Sequence, residues 1–366
     1  MTSQEKHTAP SLKGCPEGGT IKCSDRTGSG RESAPVVAIV CGGDSSEHDV
    51  SLRSAQGIYS FLDKERFEVF IVEITGLTWE VHLEGDKRVP VSREDFSFKV
   101  GRRTVKPDFA YITIHGTPGE NGILQGYFDL IRLPYSTSSV LVEAMTFNKF
   151  TLNQYLKGFG VSVSESLVVR KGNEDLVTDD EIIGHIGLPC FVKPNAGGSS
   201  FGVTKVKTLE DLRPAIRKAM NESDEVMVEA FMPGTELTCG CYKVSGKEVV
   251  FPVTEVVTHN EFFDYDAKYK GEVDEITPAR IPDELRDRVQ ALTSAIYDIL
   301  ACSGIIRIDY IVTKVKGEDG RERDRINMLE INTTPGMTAT SFIPQQVRAA
   351  GLDIKDVLTD IIEDKL

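Results

Sequence analysis

The sequence predicts an α/β protein that opens with a parallel sheet and continues into an α+β arrangement of helices and antiparallel strands. Residues 36–40 form a continuous apolar run, which is typical of a strand buried on both faces of a parallel sheet. A polar loop and a helical pattern follow this run. Residues 235–257 instead alternate between apolar and polar side chains, which is typical of antiparallel strands with one buried face.

The composition is that of a globular protein. Hydrophobic residues make up 40% of the 366 residues and charged residues 27%, which excludes disordered, collagen-like and fibrous classes. The net charge of -14 argues against nucleic acid or an anionic membrane as a partner. No apolar run approaches the ~20 residues of a membrane helix, so we expect no membrane partner of any kind.

The cysteines and the start of the chain bear on the cellular compartment. Seven cysteines are scattered without a CxxC pair or a zinc-like Cys/His cluster, so we expect free thiols and a cytoplasmic protein. The start of the chain has no basic segment followed by an apolar core, so no secretory signal is predicted.

The chain is predicted to begin with a disordered tail, residues 1–34, of which 16 are Gly, Ser, Thr or Pro and none is aromatic. An N-terminal α/β domain follows at 35–138. Its predicted strands are 36–40, 67–74 and 109–114, and its predicted helices are 50–62 and 122–131.

The rest of the chain is predicted to form a central part, 139–233, and a C-terminal part, 234–366. In the central part we expect a helix capped by Thr146 and ending at Leu156, then strands 167–169, 190–193, 203–207 and 226–231 and a helix 209–220. In the C-terminal part we expect antiparallel strands within 235–257, an irregular segment 258–277, a helix 282–301, strands 305–312 and 326–331, and a helix from about residue 354.

The last strand pair carries the most informative side chains. Arg307 and Asp309 share one face of the first strand, and Glu330 and Asn332 share one face of the second. The Asp-Gly dipeptide 319–320 between them predicts a type I′ hairpin, whose register places Asp309 opposite Glu330 and Arg307 opposite Asn332. An arginine salt bridge with polar neighbours is one interpretation of this patch.

A metal site is the other interpretation of this patch. Opposed carboxylates repel, and their burial costs several kcal/mol unless a cation compensates. Carboxylate and amide oxygens are ligands that Mg²⁺ takes when it also holds phosphate oxygens.

A second feature is Lys193-Pro194 followed by the Gly/Ser-rich segment NAGGSSFG, residues 195–202, whose backbone N–H groups and hydroxyls could cradle a phosphate. A plain hairpin loop is the alternative. Lys149 would be the third residue of the helix capped by Thr146, and a cation there is unfavourable unless a phosphate arrives. An exposed helical lysine is the alternative.

The first domain contributes two loops after apolar strands, at the sheet edge where open α/β sheets bind ligands. Residues 42–51 contain Glu47, a candidate partner for a substrate ammonium, and residues 115–122 begin with His115, a candidate partner for a carboxylate. Each could also be an ordinary loop residue. The aromatic segment 261–269, EFFDYDAKY, is predicted to belong to a lid, with core packing of its rings as the alternative.

Six motifs together resemble one known family. In order they are GGDSSEHDVSLRSA, HGTPGENGILQG, the Lys193 Gly/Ser loop, FDYDAKY, RIDY and EINTTPGMT, and they resemble the D-alanine:D-alanine ligases of the ATP-grasp superfamily over about residues 35–366. The resemblance implies an ATP-grasp fold with an N-terminal open α/β domain. It also implies a cytoplasmic, usually dimeric enzyme that uses ATP and two Mg²⁺ ions, with Mn²⁺ able to substitute, to join two D-alanines for peptidoglycan.

The resemblance also implies roles for individual residues. The implied metal ligands are Asp309, Glu330 and Asn332. The implied ATP contacts are Lys149, Lys193, Ser199, Ser200, Glu229, Ala230, Met232, Glu236 and Lys268, with the backbone of Ala230 and Met232 taking the adenine edge. Glu47 and His115 are implied at the first D-alanine, and Ser341 and Phe342 at the carboxylate of the second.

The implied chemistry is phosphorylation of the first D-alanine's carboxylate, followed by attack of the second amine on the acyl phosphate. Glu47, Ser199 and Tyr269 are implied as a hydrogen-bonded trio between lid and substrate. The implied oxyanion partners are Arg307 and the N–H of Gly336.

Three other functions compete with this one. A ligase of the same chemistry with D-lactate or D-serine as second substrate is the first, although Tyr269 favours an amine acceptor. A nucleotide-binding regulator without turnover is the second, and it has no need of Arg307. A nicotinamide oxidoreductase is disfavoured because the sequence has no GxGxxG fingerprint.

Overall fold

The computed structural model describes residues 34–85, 87–197, 202–258 and 273–366. Residues 34–366 form one compact unit. The predicted tail, apart from Ala34, and most of the predicted lid lie outside the described residues, and the domain boundaries stay a prediction. No helix among the described residues is long and apolar enough to cross a membrane.

The N-terminal sheet is centred on β1 (Val36–Gly42), as its apolar run predicts. It pairs in parallel with β2 (Glu68–Thr75) on one side and β7 (Phe109–Ile112) on the other. Two strands that the sequence analysis missed, β3 (Thr78–Leu83) and β4 (Lys87–Pro90), extend the sheet antiparallel, and a small hairpin pairs β5 (Phe98–Val100) with β6 (Arg103–Val105). The predicted helices are confirmed as α1 (His48–Phe61) and α2 (Ile123–Ile131).

The central part begins with two short helices where one was predicted. They are α3 (Val140–Phe147) and α4 (Lys149–Lys157), and Asn148 caps α4 by accepting from the N–H of Thr151 at 2.9 Å. The predicted cap at Thr146 is wrong, because that residue lies inside α3 and its hydroxyl donates to the carbonyls of Val142 and Glu143. Lys149 is therefore the first residue of its helix and not the third.

The central sheet has the order β10, β9, β11, β8 and is antiparallel. The predicted strands on either side of the Gly/Ser loop are confirmed. The sheet's strands are β8 (Ser166–Arg170), β9 (Cys190–Pro194), β10 (Thr204–Val206) and β11 (Glu225–Ala230), and its helices are α5 (Asp179–Ile186) and α6 (Leu209–Ala219). The apolar faces of α5 and α6 pack on β9 and β11 in one core cluster.

The C-terminal sheet has the order β15, β14, β12, β16, β17, with β13 paired to β12. Its strands are β12 (Thr235–Val244), β13 (Lys247–Val250), β14 (Thr254–Thr258), β15 (Val273–Ile276), β16 (Ile306–Lys316) and β17 (Glu322–Asn332). Its helices are α7 (Asp283–Leu300), α8 (Phe342–Ala349) and α9 (Ile354–Glu363). Helix α8 was not predicted, and the end of the predicted irregular segment 258–277 forms the strand β15.

In the β16–β17 hairpin the predicted pairs at the polar patch are present, but a bulge and not the turn sets this pairing. From Lys316 opposite Glu322 the pairs run in step to Tyr310 opposite Met328, and the next pair is Asp309 opposite Glu330. Leu329 is therefore an extra residue on β17, a bulge that re-aims the following side chains. The predicted type I′ turn is wrong, because Gly320 has a positive φ whereas Asp319 does not, and this turn type needs both.

Candidate active site

A cleft of about 890 Å³ lies where the three sheets approach one another. Its walls include the loop after β1, the start of α4, β9 and β11, and the facing surfaces of β12, β16 and β17. The predicted site residues that line it are Glu47, Lys149, Lys193, Glu229, Ala230, Met232, Glu236, Arg307, Asp309, Glu330 and Phe342. Tertiary folding thus brings together most of the described candidates.

Asp309 is the centre of the polar patch on the C-terminal sheet. Its buried carboxylate accepts two hydrogen bonds from Arg307, at 2.9 Å from Nε and 2.7 Å from Nη2. Thr238 donates to Oδ1 at 2.5 Å and the Asn332 amide to Oδ2 at 3.1 Å. Thr238 was not predicted as a site residue, although Thr238 shares the cleft-facing side of β12 with Glu236.

Arg307 is held rigidly in this patch. Burial alone would lower its pKa, but the adjacent carboxylate of Asp309, with Glu330 and Glu236, raises it. The guanidinium carbon lies 5.1 Å from the ring centroid of Phe342, within the range of a cation–π contact. A permanent positive charge with a fixed orientation therefore faces the cleft.

The second basic group, Lys193, forms an ion pair that the sequence analysis did not foresee. Its Nζ lies 2.6 Å from Oε1 of Glu229, and both side chains are buried. Because Met227 is opposite Lys193 in the β9–β11 ladder, Glu229 is the diagonal neighbour on the same face. Glu229, predicted from the resemblance as a nucleotide contact, thus also holds Lys193 in place.

Lys149 enters the cleft from the start of α4. Burial lowers its pKa and the charge of Lys193 lowers it further, whereas Glu330 and Glu120 oppose this effect. Its Nζ donates to the carbonyl of Gly197 at 2.5 Å. The lysine therefore faces the loop predicted to hold phosphate.

The N–H groups at the start of α4 are already used. The N–H of Lys149 donates to the carbonyl of Asn195, that of Phe150 to Asn195 Oδ1, and that of Thr151 to Asn148 Oδ1. A phosphate at this helix end would therefore meet the Lys149 side chain and not free N–H groups, and the phosphate contact itself stays a prediction.

The backbone of Ala230 departs from its predicted role. Its N–H donates to the carbonyl of Glu165 at 2.9 Å, and its carbonyl accepts from the Ser164 hydroxyl at 2.8 Å. The N–H is consequently not available to an adenine ring, while the carbonyl keeps one lone pair. Met232 and Glu236 also line the cleft.

Glu47 reaches the cleft from the loop after β1, where it is the N-cap position of α1. Gly42 and Gly43 have φ of 98° and 96°, and an added Cβ at Gly42 would lie 2.5 Å from the carbonyl of Ile74. This close backbone turn needs glycine and aims the loop into the cleft. His115 is buried behind the loop, with Nε2 3.2 Å from the Ser54 hydroxyl, and does not line the cleft.

Ser341 and Gly336 lie next to each other at the start of α8. The Ser341 hydroxyl accepts from the N–H of Thr338 at 3.1 Å and lies 2.8 Å from the Thr338 hydroxyl. An added Cβ at Gly336 would lie 2.9 Å from Ser341 Oγ, so the loop is close-packed there. Neither residue lines the cleft, whereas the adjacent Phe342 does.

Two further carboxylates were not predicted: Glu120, which is partly buried, and Glu143, which is fully buried. Glu120 accepts from the N–H of Gly116 and the hydroxyl of Thr334, and Glu143 accepts from the N–H of Ser138 and the hydroxyl of Thr333. Burial, then the charge of Glu47, raises the pKa of Glu120 to about 7. Burial also raises the pKa of Glu143 well above its ordinary value.

Four predicted residues, Ser199, Ser200, Lys268 and Tyr269, lie outside the described residues. Within the described part of the chain, no group of three or more His, Cys, Asp or Glu side chains could hold a metal ion. The predicted metal ligands are the carboxylates of Asp309 and Glu330 and the amide of Asn332, so the third ligand atom would be the side-chain oxygen of Asn332.

Comparisons with known proteins identify the family. The family described as D-ala D-ala ligase N-terminus matches residues 36–138, and that described as D-ala D-ala ligase C-terminus matches residues 155–363. A D-alanine--D-alanine ligase of Phocaeicola vulgatus is 70% identical over 329 residues, covering 90% of this chain and 98% of that protein.

Solved structures give the same result. The VanG D-Ala:D-Ser ligase of Enterococcus faecalis matches with a TM-score of 0.80 and 30% identity over 91% of this chain and 100% of its own. The D-alanine--D-alanine ligase of Bacillus anthracis complexed with ATP matches with a TM-score of 0.69 and 26% identity over 91% and 97%. These likenesses confirm the ATP-grasp fold predicted from the motifs, and the chain belongs to the D-alanine–D-alanine ligase family of ATP-dependent ligases.

Proposed function

We propose that the cleft joins two D-alanines into D-alanyl-D-alanine for peptidoglycan, using ATP and passing through an acyl phosphate. The observation that carries this proposal is the convergence of two lysines and an arginine with Asp309 and Glu330 in one cleft. Phosphoryl transfer depends on positioning and charge neutralisation more than on covalent help from the protein. These residue types provide both.

Lys149 and Lys193 bind the phosphates of ATP. Both line the same cleft, and burial together with the nearby charge of Lys193 lowers the pKa of Lys149. A polyphosphate would remove this repulsion. The adenine lies toward Met232 and Glu236, where the carbonyl of Ala230 supplies an acceptor but its N–H does not.

Asp309, Glu330 and Asn332 would hold the divalent cation that the family's ATP chemistry requires. We assign Mg²⁺, two ions, with Mn²⁺ as a substitute, because oxygen ligands of this type suit hard cations. The four hydrogen bonds on Asp309 fill its acceptor sites, so binding requires the Asn332 amide to rotate and present Oδ1. When bound, the cation neutralises charge on the transferred phosphoryl group.

Glu47 holds the ammonium of the first D-alanine, and His115 supports that subsite from behind through Ser54. Arg307 stabilises the negative charge that develops when the second amine attacks, since its charge is fixed by Asp309 before reaction. The N–H of Gly336 is assigned to the same oxyanion. Ser341 and Phe342 receive the carboxylate of the second D-alanine, and Ser199, Ser200, Lys268 and Tyr269 are assigned to closure over the phosphates.

The test is phosphate release by the purified chain with ATP and Mg²⁺, with and without D-alanine. Release that depends on D-alanine and matches the dipeptide formed one to one supports the proposal. ATP binding without release in the presence of D-alanine would instead favour a non-catalytic regulator. A chelator control followed by Mg²⁺ or Mn²⁺ addition tests the metal assignment.

D-Serine is the second candidate for the acceptor, because the VanG structure of high similarity is named a D-Ala:D-Ser ligase. The 70% identity to a D-alanine--D-alanine ligase favours D-alanine. Competition between D-alanine and either D-serine or D-lactate, followed by mass analysis of the product, distinguishes the acceptors.

A cytoplasmic homodimer is the proposed state of the enzyme. Exposed apolar side chains on α2 and α3, among them Leu130 at 85% and Leu141 at 72% exposure, support an interface with a second copy. The free, mostly buried cysteines of the described chain support a reducing compartment. Analytical ultracentrifugation tests the oligomeric state.

A further inference from the structure

We propose that Asn195 is a positioning residue that fixes the entrance of the phosphate-binding loop, residues 195–197, to the helix that begins with Lys149. This inference deepens the proposed function and rests on the two lysines binding ATP. Asn195 itself is not assigned to the nucleotide. Its side chain is 1% exposed and directed away from solvent into the junction of β9, β11 and α4.

The Asn195 amide uses both of its ends. Oδ1 accepts from the N–H of Phe150 at 2.9 Å, so a residue distant in sequence caps α4. Nδ2 donates to Asn148 Oδ1 at 3.0 Å and to Glu225 Oε2 at 2.8 Å. Its backbone carbonyl also accepts from the N–H of Lys149 at 3.0 Å.

These contacts fix the two phosphate-binding lysines relative to each other. Lys193 is two residues before Asn195 on β9, and Gly197, whose carbonyl accepts from Lys149 Nζ, is two residues after it. Asn195 is thus the point at which the segment between Lys193 and Gly197 is tied to the backbone of Lys149. If this tie loosens, the distance between the two cationic groups is no longer set.

The far side of the network anchors Asn195 to the central sheet. Glu225, at the start of β11, accepts from Arg170 Nε at 2.7 Å through its other oxygen, and these contacts lower its pKa against the effect of burial. A charged acceptor makes the bond from Asn195 Nδ2 stronger than one between neutral groups. The N–H of Asn195 also donates to the backbone carbonyl of Glu225 at 2.9 Å.

The arrangement requires an amide at position 195. An aspartate would keep an acceptor for Phe150 but would place a second carboxylate against Glu225 and Asn148 Oδ1. An alanine would leave the N–H of Phe150 and the Glu225 oxygen without this partner. The two substitutions therefore break the network in different, distinguishable ways.

The experiment compares Asn195→Ala and Asn195→Asp with wild type in steady-state kinetics and in Mg²⁺-ATP binding by calorimetry. We expect the KM and Kd for ATP to rise about ten-fold in both variants while the KM for D-alanine changes by less than about two-fold, a selective loss of ~1.4 kcal/mol toward ATP. For Asn195→Asp, the ATP affinity should recover as the pH falls and the new carboxyl becomes protonated. Lys171→Ala, which removes an exposed ion pair with Asp224 beside the network and none of the contacts of Asn195 or Glu225, is the matched control and should change KM for ATP by less than two-fold.

Two results would overturn this assignment. The first is a fall in melting temperature with unchanged ATP affinity, which is what a purely structural cap produces. The second is an equal rise in the KM of both substrates. If Asn195→Ala does not fold, the pH recovery of Asn195→Asp decides alone. Failure of the wild-type chain to release phosphate with D-alanine would count against the proposed function, whereas nucleotide binding by calorimetry still tests the role of Asn195.

Discussion

Glu120 gives a prediction about stability that can be worked out from the structure. The carboxyl accepts hydrogen bonds from the N–H of Gly116 and the hydroxyl of Thr334, and burial together with the charge of Glu47 raises its pKa from 4.5 to about 7. Between these two values the unfolded chain has lost the proton while the folded chain keeps it. The contribution of Glu120 to the free energy of unfolding is therefore fully present below pH 4.5 and is lost as the pH rises to about 7.

The magnitude follows from linkage. A pKa raised by this amount corresponds to at most about 3 kcal/mol of unfolding free energy between pH 4.5 and 7. Glu120→Gln removes the titration and keeps both hydrogen bonds, because the amide oxygen accepts from Gly116 and the Thr334 hydroxyl can accept from the amide nitrogen. We expect the unfolding free energy of the variant to increase relative to that of wild type by about 2 to 3 kcal/mol as the pH rises across this range.

The assay is urea unfolding of the nucleotide-free and metal-free protein from about pH 4.5 to pH 8, followed by far-ultraviolet circular dichroism. Each variant is compared with wild type at the same pH, so that the titration of other groups cancels. Glu84→Gln, at an exposed position in the turn after β3, is the matched control and should show a flat difference. A flat difference for Glu120→Gln as well would show that Glu120 is ionised throughout and would refute the reasoning.

Three further predictions concern the cleft. Glu330→Gln should abolish D-alanine-dependent ADP release with unchanged circular dichroism, because a metal-binding carboxylate is lost; near-normal turnover would contradict the metal assignment. Thr238→Val should lower the unfolding free energy by about 1.5 to 3 kcal/mol, because Asp309 loses a hydrogen bond to a charged group; a change under about 0.5 kcal/mol in urea unfolding would show that this bond adds little. Glu229→Gln should destabilise the nucleotide-free protein by about 3 kcal/mol, because Lys193 stays buried without its charge partner. Mg²⁺-ATP should then raise the melting temperature of this variant more than that of wild type. Equal melting-temperature shifts would argue against phosphate binding by Lys193.

Much of the fold could be predicted from local patterns. The apolar run of β1 and the alternation in β12 predicted which residues form strands, because strand periodicity is a property of the sequence. The same periodicity placed Arg307 and Asp309 on one face of β16. The six motifs together indicate the ATP-grasp fold and the ligase family without reference to any tertiary contact.

Local patterns were less informative where polar groups found partners from distant parts of the chain. The start of α4 was misplaced because Thr146 and Asn148 are both acceptable caps by type, and only the packing of Asn195 against Asn148 and Phe150 selects between them. The backbone partner of Ala230, the carbonyl of Glu165, is likewise far away in sequence.

The sequence by itself determined many of the helices and strands, the family and the side chains available for ATP-dependent ligation. Only the tertiary structure decided how those side chains are used. The bulge at Leu329 brings Asp309 opposite Glu330, and the β9–β11 pairing joins Lys193 to Glu229. The reason is physical, since periodicity depends on neighbours along the chain, whereas hydrogen bonds, burial and charge interactions depend on distances that exist only after the sheets have packed together.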